Sequence, residues 1–337
     1  MRLLTQSAVP ALFGTAIVLG SIAGASSPAT GELLGGWVDS TVLLLVGLLF
    51  FEVRFSELRR IRSAPRFFAV AIVANFAVIP LIGWGIATIA FGDREPALFV
   101  GLFIYFMAPC TDWFLGFTRM ARGNVELGAV LLPINMILQL FLYPVYLRLF
   151  AGEQVGVDLA STGNTLVQWV VVPLVAAIVL RAALRVTLPA AQFVVLLRTV
   201  GRATPAVIAL LIVQLFASNI TTLLDHASSF AVILVAAIVF FVATYALGGG
   251  AARLFHLEYP EKALLVMTTA SRNAPLMLGI TTVAIPGQPL VYAAIIVGML
   301  IEFPHLTVLR TLLLRTNREK VHTQQLTVSA LNKDLLQ

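Results

Sequence analysis

Ten apolar windows of bilayer-spanning length, joined by short polar segments, constrain this chain more than any other feature of its sequence. They lie near Ser7 to Gly24, Trp37 to Val53, Phe67 to Phe91, Pro96 to Met120, Val125 to Phe150, Leu166 to Leu184, Thr204 to Ser218, Phe230 to Ala251, Lys262 to Ile285 and Leu290 to Leu313. In hydrocarbon every backbone polar group must be satisfied within the protein, so such windows fold as membrane-crossing helices. Charged residues make up 11% of the chain and hydrophobic ones 59%, with a mean hydropathy of +0.96. Soluble domains carry about 25% charged residues. The expected fold class is an all-α polytopic membrane protein built as one bundle. The first window follows Arg2 and imitates a signal peptide, but the nine windows behind it predict a retained helix.

Lysine and arginine placement sets the expected orientation. With the amino terminus in the cytoplasm, Arg2, the arginines from Arg54 to Arg66, Arg119, Arg122, those from Arg181 to Arg202, Arg253, Lys262, Arg310 and every lysine and arginine after it fall inside. Only Arg94 and Arg148 fall outside, and Arg272 lies within the membrane. The positive-inside rule then places both termini in the cytoplasm and predicts a multi-pass protein of the plasma membrane. The net charge of +6 is explained by this topology and does not call for a nucleic-acid partner. Five spans enter from each side, which predicts two inverted repeats, residues 1–151 and 152–315, followed by a short polar cytoplasmic tail, 316–337. At one constant offset Met107 falls on Met267, Thr111 on Ser271, Asp112 on Arg272 and Pro144 on Pro304. Prolines inside spans (Pro80, Pro133, Pro144, Pro173, Pro205, Pro304) predict kinks, because neighbouring helices satisfy the loosened backbone.

Two windows are interrupted. The apolar run from Pro96 to Ala108 covers only ~20 Å as a helix, short of the ~30 Å hydrocarbon core. It is stopped by Met107-Ala108-Pro109-Cys110-Thr111-Asp112-Trp113, and Met267-Thr268-Thr269-Ala270-Ser271-Arg272-Asn273-Ala274-Pro275 has the same character. Inverted repeats bring such discontinuous helices together near the midplane, where solute carriers bind their cargo. Thr111 or Asp112 is expected to cap the second half of the first helix, and Asn273, with Pro275 in the opening turn, the second half of the other.

Asp112, Arg272 and Glu302 are the charges that apolar flanks hold deepest, each costing several kcal/mol unless paired or solvated. Asp112 and Arg272 occupy equivalent repeat positions and are expected to form a structural charge pair; the alternative is a direct substrate role for Arg272. That pairing assigns Glu302 to coupling, since a buried carboxylate takes a proton or holds a cation and so changes the charge of the site. Cys110, the chain's single cysteine, lies at the break beside a capping hydroxyl. Soft thiolates select thiophilic centres, and one thiol releases what it binds. Asn135 and Gln139, four apart in one span, and Gln214 line a cavity or hydrogen-bond between helices. Asp39 is expected at a helix cap, Glu52 beside cytoplasmic arginines and Glu126 at a helix amino terminus. The glycine run 248–250 lacks the Lys-Ser/Thr of a phosphate loop, hydrolase motifs are absent, and four scattered histidines predict no metal site and no cofactor. The chemistry points to a carrier, not an enzyme.

At these residues the sequence resembles the arsenical-resistance (yeast-type arsenite) permease family, which shares a superfamily with the bile-acid:sodium symporters. Ala108-Pro109-Cys110-Thr111 resembles that family's Cys-Thr motif at the fourth-helix break, and Leu300-Ile301-Glu302-Phe303-Pro304 its Leu-Val-Glu-Val-Pro motif in the tenth span. The resemblance implies ten helices in panel and core domains and efflux of arsenite, sometimes antimonite, in exchange for protons. Cys110 and Glu302 match its functional pair, with Thr111, Ser271 and Asn273 beside them. In the sodium-coupled relatives, hydroxyl, amide and carboxylate oxygens near the breaks hold Na+. Two departures stand out: Asp112-Trp113 where the arsenite carriers usually have uncharged residues, and Ser271-Arg272-Asn273 where they tend to read Ser-Asn-Asn. A sodium-coupled organic-anion symporter on the same fold, with Arg272 meeting the anion, is therefore the alternative expectation.

Overall fold

The computed structural model describes residues 4–53, 55–92, 94–111, 113–151 and 171–334, and every element among them is helical. In chain order these are α1 (Leu4–Ser26), α2 (Pro28–Gly35), α3 (Val38–Glu52), a 3-10 segment (Phe55–Ser63), α4 (Pro65–Val73), α5 (Ile79–Ala90), α6 (Pro96–Met107), α7 (Phe114–Met120) and α8 (Val125–Tyr146). Then come α9 (Val172–Thr187), α10 (Ala190–Ser218), α11 (Ile220–Asp225), α12 (Ala227–Leu254), α13 (Tyr259–Ala270), α14 (Ala274–Ala284) and α15 (Pro289–Asp334). Five of these stretches are long and apolar enough to cross a membrane, or six if the bent pair α2 and α3, at 42°, is one span. The other expected spans are interrupted, shorter, or partly outside the described residues, as Leu166 to Leu184 is. The chain is a multi-pass membrane protein.

The helices pack as two groups. α1, α2, α3, α9 and α10 form one, with α10 running along α1, α2 and α3. Arg181 closes the carboxyl end of α3 by donating to the carbonyls of Phe51 and Val53, where a cation also offsets the helix dipole. Glu52, expected beside arginines, accepts from Thr204 Oγ1 on α10 at 2.7 Å. α4 to α8 and α12 to α15 form the other group, which meets the first where α3 packs on α14 and α1 on α15. Exposed valines and leucines of α1, α9 and α12 present the outer surface to lipid.

Inside the second group, α6 is buried from Leu98 to Met107 and α13 from Ala263 to Ala270. A helix that is apolar on every face belongs in such a centre. α6 lies tightly along α15, because Gly298 leaves room for the Tyr105 ring: a Cβ there would stand 2.6 Å from it.

The prolines behave according to position. Pro133, Pro144, Pro205 and Pro304 lie within continuous helices, while Pro173 sits in the first turn of α9. Pro80 follows a π-helical turn, Ala74–Val78. Having no N–H, it cannot bond Phe76 O one turn earlier, and that carbonyl accepts instead from Tyr146 Oη. Asp39 is in the first turn of α3 without capping it, and Asn124 caps α8 ahead of Glu126. The polar tail continues α15 as helix to Asp334, since no proline or glycine after Pro304 stops it.

Candidate functional site

Both expected breaks are present, and they cross. α6 ends at Met107 and α7 starts at Phe114; α13 ends at Ala270 and α14 starts at Ala274. Between them Ala108 and Ser271 are extended, at φ −102°, ψ 116° and φ −89°, ψ 136°. Pro109 forces the first change, because a residue before proline is disfavoured in the helical region. Pro275 forces the second by withholding the N–H that would bond Ser271 O. The two extended pieces pair as a short antiparallel bridge between Pro109 and Arg272. Its bonds run from Cys110 N to Ser271 O and from Asn273 N to Ala108 O, both 3.0 Å.

These bonds leave the last carbonyls of α6 and α13 without their helical donors, since buried backbone groups must all be satisfied. Cys110 N no longer serves Phe106 O, Arg272 N no longer serves Thr268 O, and Asn273 N no longer serves Thr269 O. The Arg272 guanidinium takes up all three: Nη1 donates to Phe106 O at 2.9 Å, and Nη2 to Thr268 O at 3.1 Å and Thr269 O at 2.7 Å. Its carbon lies 5.5 Å from the Phe240 ring centre, and Phe240 stacks on Phe106. The Arg272 N–H donates to Glu302 Oε1 at 3.0 Å. Arg272 and Glu302 are both fully buried. The proposed partner of Arg272, Asp112, lies outside the described residues.

Asn273 is the second hub. It caps α14, its side chain accepting from Leu276 N, and its Nδ2 donates to Thr111 Oγ1 at 3.1 Å and to Gln139 Oε1 at 3.2 Å. Thr111 therefore serves Asn273; the N-cap position of α7 is Trp113, which makes no side-chain cap bond, and the other expected cap, Asp112, lies outside the described residues. Asn135 Nδ2 donates to Cys110 O at 3.2 Å and reaches Thr268 Oγ1 at 3.5 Å. Ser271 Oγ bonds back to Met267 O. Cys110 is buried and lies, with Glu302, within electrostatic reach of the Arg272 guanidinium. Gln214 stands apart, buried on α10.

Two residues passed over in the sequence also belong here. Asn75, on the π-helical turn, donates to Thr268 Oγ1 at 3.1 Å; Tyr105 is buried beside Arg272 and Glu302. A single amide inside the apolar run from Phe67 to Phe91 was the available signal for Asn75. Asn75 Oδ1 and Asn135 Oδ1 are buried acceptors with no hydrogen-bond partner among the described residues. A separate apolar cavity of about 950 Å³ lies between α3, α9 and α10, lined by residues such as Leu44, Phe51, Pro173 and Leu180, and none of the crossing residues lines it.

Two interrupted helices exchanging backbone hydrogen bonds, with buried charge at the crossing, form the binding-site architecture of secondary carriers. The model of the Sodium Bile acid symporter family matches residues 17–226, more than half of the chain. The chain belongs to that family. It is thus a secondary transporter of the bile acid:sodium symporter kind and not an enzyme. Among family relatives, the uncharacterized sodium-dependent transporter YocS of Bacillus subtilis (strain 168) is 21% identical over 276 residues, 80% of this chain and 81% of that protein. The probable sodium/metabolite cotransporter BASS2, chloroplastic, of Oryza sativa subsp. japonica is 27% identical over 168 residues, 48% of this chain and 38% of that protein. The uncharacterized protein YbaS of the same Bacillus is 26% identical over 168 residues, 49% of this chain and 52% of its own length.

Proposed function

We propose that this family member exports arsenite, and antimonite by the same chemistry, in exchange for protons. One observation carries the reading. Cys110 forms part of the crossing itself, its N–H bonded to Ser271 O and its carbonyl held by an Asn135 amide whose Oδ1 has no partner among the described residues. Arsenite is the neutral triol As(OH)3. The thiol sulfur bonds arsenic as one hydroxyl leaves with the thiol proton as water, and the reverse step releases the cargo. The remaining hydroxyls are donors suited to Asn135 Oδ1 and Asn75 Oδ1. Thr111, Ser271 and Asn273 frame the site, and Glu302 carries the coupling proton. In this reading the chain is a plasma-membrane protein with ten spans in two inverted repeats, 1–151 and 152–315, and both termini and the 316–337 tail in the cytoplasm.

The test is arsenite accumulation by cells expressing the protein, at two external pH values, with and without sodium. Expression is expected to lower accumulation independently of sodium, and Cys110→Ser to abolish the effect. Unchanged accumulation refutes arsenite as the cargo.

The likeness to YocS, a sodium-dependent transporter, and BASS2, a probable sodium/metabolite cotransporter, favours a second reading, sodium-coupled uptake of an organic anion. There Glu302, Ser271 and Asn273 contribute to cation binding and Arg272 meets the anion. Sodium-dependent uptake insensitive to Cys110→Ser would support it. Against it, the hydrogen bonds that the Arg272 Nη atoms make among the described residues go to backbone carbonyls.

A further inference from the structure

We propose that the Arg272 guanidinium is a tethered cation filling a site that an inorganic cation would otherwise occupy, so that the crossing needs no metal ion at that point. The inference rests on the crossing being the transport site only for its consequence in coupling; the ion chemistry stands on the geometry alone.

The site is defined by what the two breaks leave behind. α6 and α13 end facing each other, and Phe106 O, Thr268 O and Thr269 O are turned toward one point by the loss of their helical donors. A helix carboxyl end bears about half a negative charge, so two of them present about one. Convergent carbonyl oxygens at buried half-helix ends are the donors that carriers use for Na+, and hard cations are held by oxygen. Here the position is taken by a guanidinium that is fully buried, hydrogen-bonded to all three oxygens, and roofed by Phe240, whose face favours a cation. The Arg272 amide fixes Glu302 Oε1 beside it.

The consequence is specific. Removing the guanidinium without refolding the break leaves three carbonyls and a nearby carboxylate with a deficit of one positive charge. A small monovalent metal ion restores it.

The experiment compares full-length wild type, Arg272→Asn and Arg272→Lys in detergent without solute, following the melting temperature as NaCl replaces choline chloride at constant ionic strength. The expected result is a saturable, sodium-specific rise for Arg272→Asn that exceeds any shift of the wild type, and no added sodium response for Arg272→Lys, whose ammonium keeps the charge. If Arg272→Asn yields no folded protein in either salt, a folded Arg272→Lys without added sodium response still supports the proposal. A sodium response in Arg272→Asn no larger than in wild type overturns it, as does an Arg272→Lys protein that acquires the same sodium requirement. Because no arsenite is present, failure here is separate from failure of the arsenite reading, which the accumulation assay decides.

Discussion

Replacing Asn273 tests how the crossing is held, and its cost can be worked from the bonds it makes. The side chain is 2% exposed, caps α14 through Leu276 N, and donates to Thr111 and Gln139 on two other segments. Loss of an amino-terminal cap costs ~1 kcal/mol. Side-chain hydrogen bonds between helices in a membrane protein average ~0.6 kcal/mol each. Asn273→Ala is therefore expected to cost about 2 kcal/mol, a shift of roughly 30-fold in the unfolding equilibrium. Asn273→Ser keeps a capping oxygen but is too short to reach Thr111 and Gln139, so it should cost about 1 kcal/mol. Unfolding of the purified chain in mixed micelles with increasing SDS, followed by tryptophan fluorescence, measures both. Trp113, between the crossing and α7 and packed 4.9 Å from Phe303, reports on this region. Equal losses for alanine and serine, or a loss below about 0.5 kcal/mol for alanine, would refute the assignment of Asn273 as both cap and crossing tie.

Tyr146→Phe removes the donor that satisfies Phe76 O ahead of Pro80; the same titration should show a loss of about 1–3 kcal/mol from the orphaned carbonyl. Gly298→Val drives a side chain into the Tyr105 ring between α6 and α15, and overpacking of this kind is expected to cost about 1–3 kcal/mol, visible as a lower melting temperature. Cys110→Ser keeps the backbone bonds of the crossing, so it should abolish arsenite export while changing the melting temperature little; loss of both would show a structural thiol. Glu302→Gln should remove the dependence of export on external pH, and retention of that dependence would place the coupling proton elsewhere.

Much of the crossing was legible in the sequence because it is written in residues with strong backbone preferences. Pro109 and Pro275 announce the two breaks, and Asn273 ahead of Pro275 announces a cap. The environment of Arg272 was not legible, for a physical reason: its acceptors are backbone carbonyls of Phe106, Thr268 and Thr269, and a carbonyl carries no side-chain identity. Counting buried charges by side chain points to Asp112, which lies outside the described residues, and does not register the backbone groups that the breaks release at the helix ends. Thr111 was one of two caps expected for α7, and the other, Asp112, lies outside the described residues. The Thr111 hydroxyl suits a cap, but a partner distant in the chain, Asn273, takes it. Asn75 escaped notice because a π-helical turn rotates it toward α13, and that turn depends on Pro80 and Tyr146 jointly.

The charge balance of the crossing connects the ion inference with the cargo. Two helix carboxyl ends and two amino ends meet there, so their half charges oppose one another to a first approximation. That leaves the Arg272 cation and the Glu302 carboxylate, both fully buried and joined through the Arg272 amide. With both ionised, the charges of the described crossing residues cancel before any solute or metal ion arrives; Asp112 lies outside the described residues. An uncharged triol adds no charge to such a balance when it binds, whereas an organic anion has to bring a cation with it into a region where each unpaired charge costs several kcal/mol. A proton delivered to Glu302 then changes the balance by one unit, while the Arg272 guanidinium keeps its three backbone carbonyls. The protonated and unprotonated crossings therefore differ by one buried charge, the difference through which the proposed coupling proton would bias the carrier between its two faces.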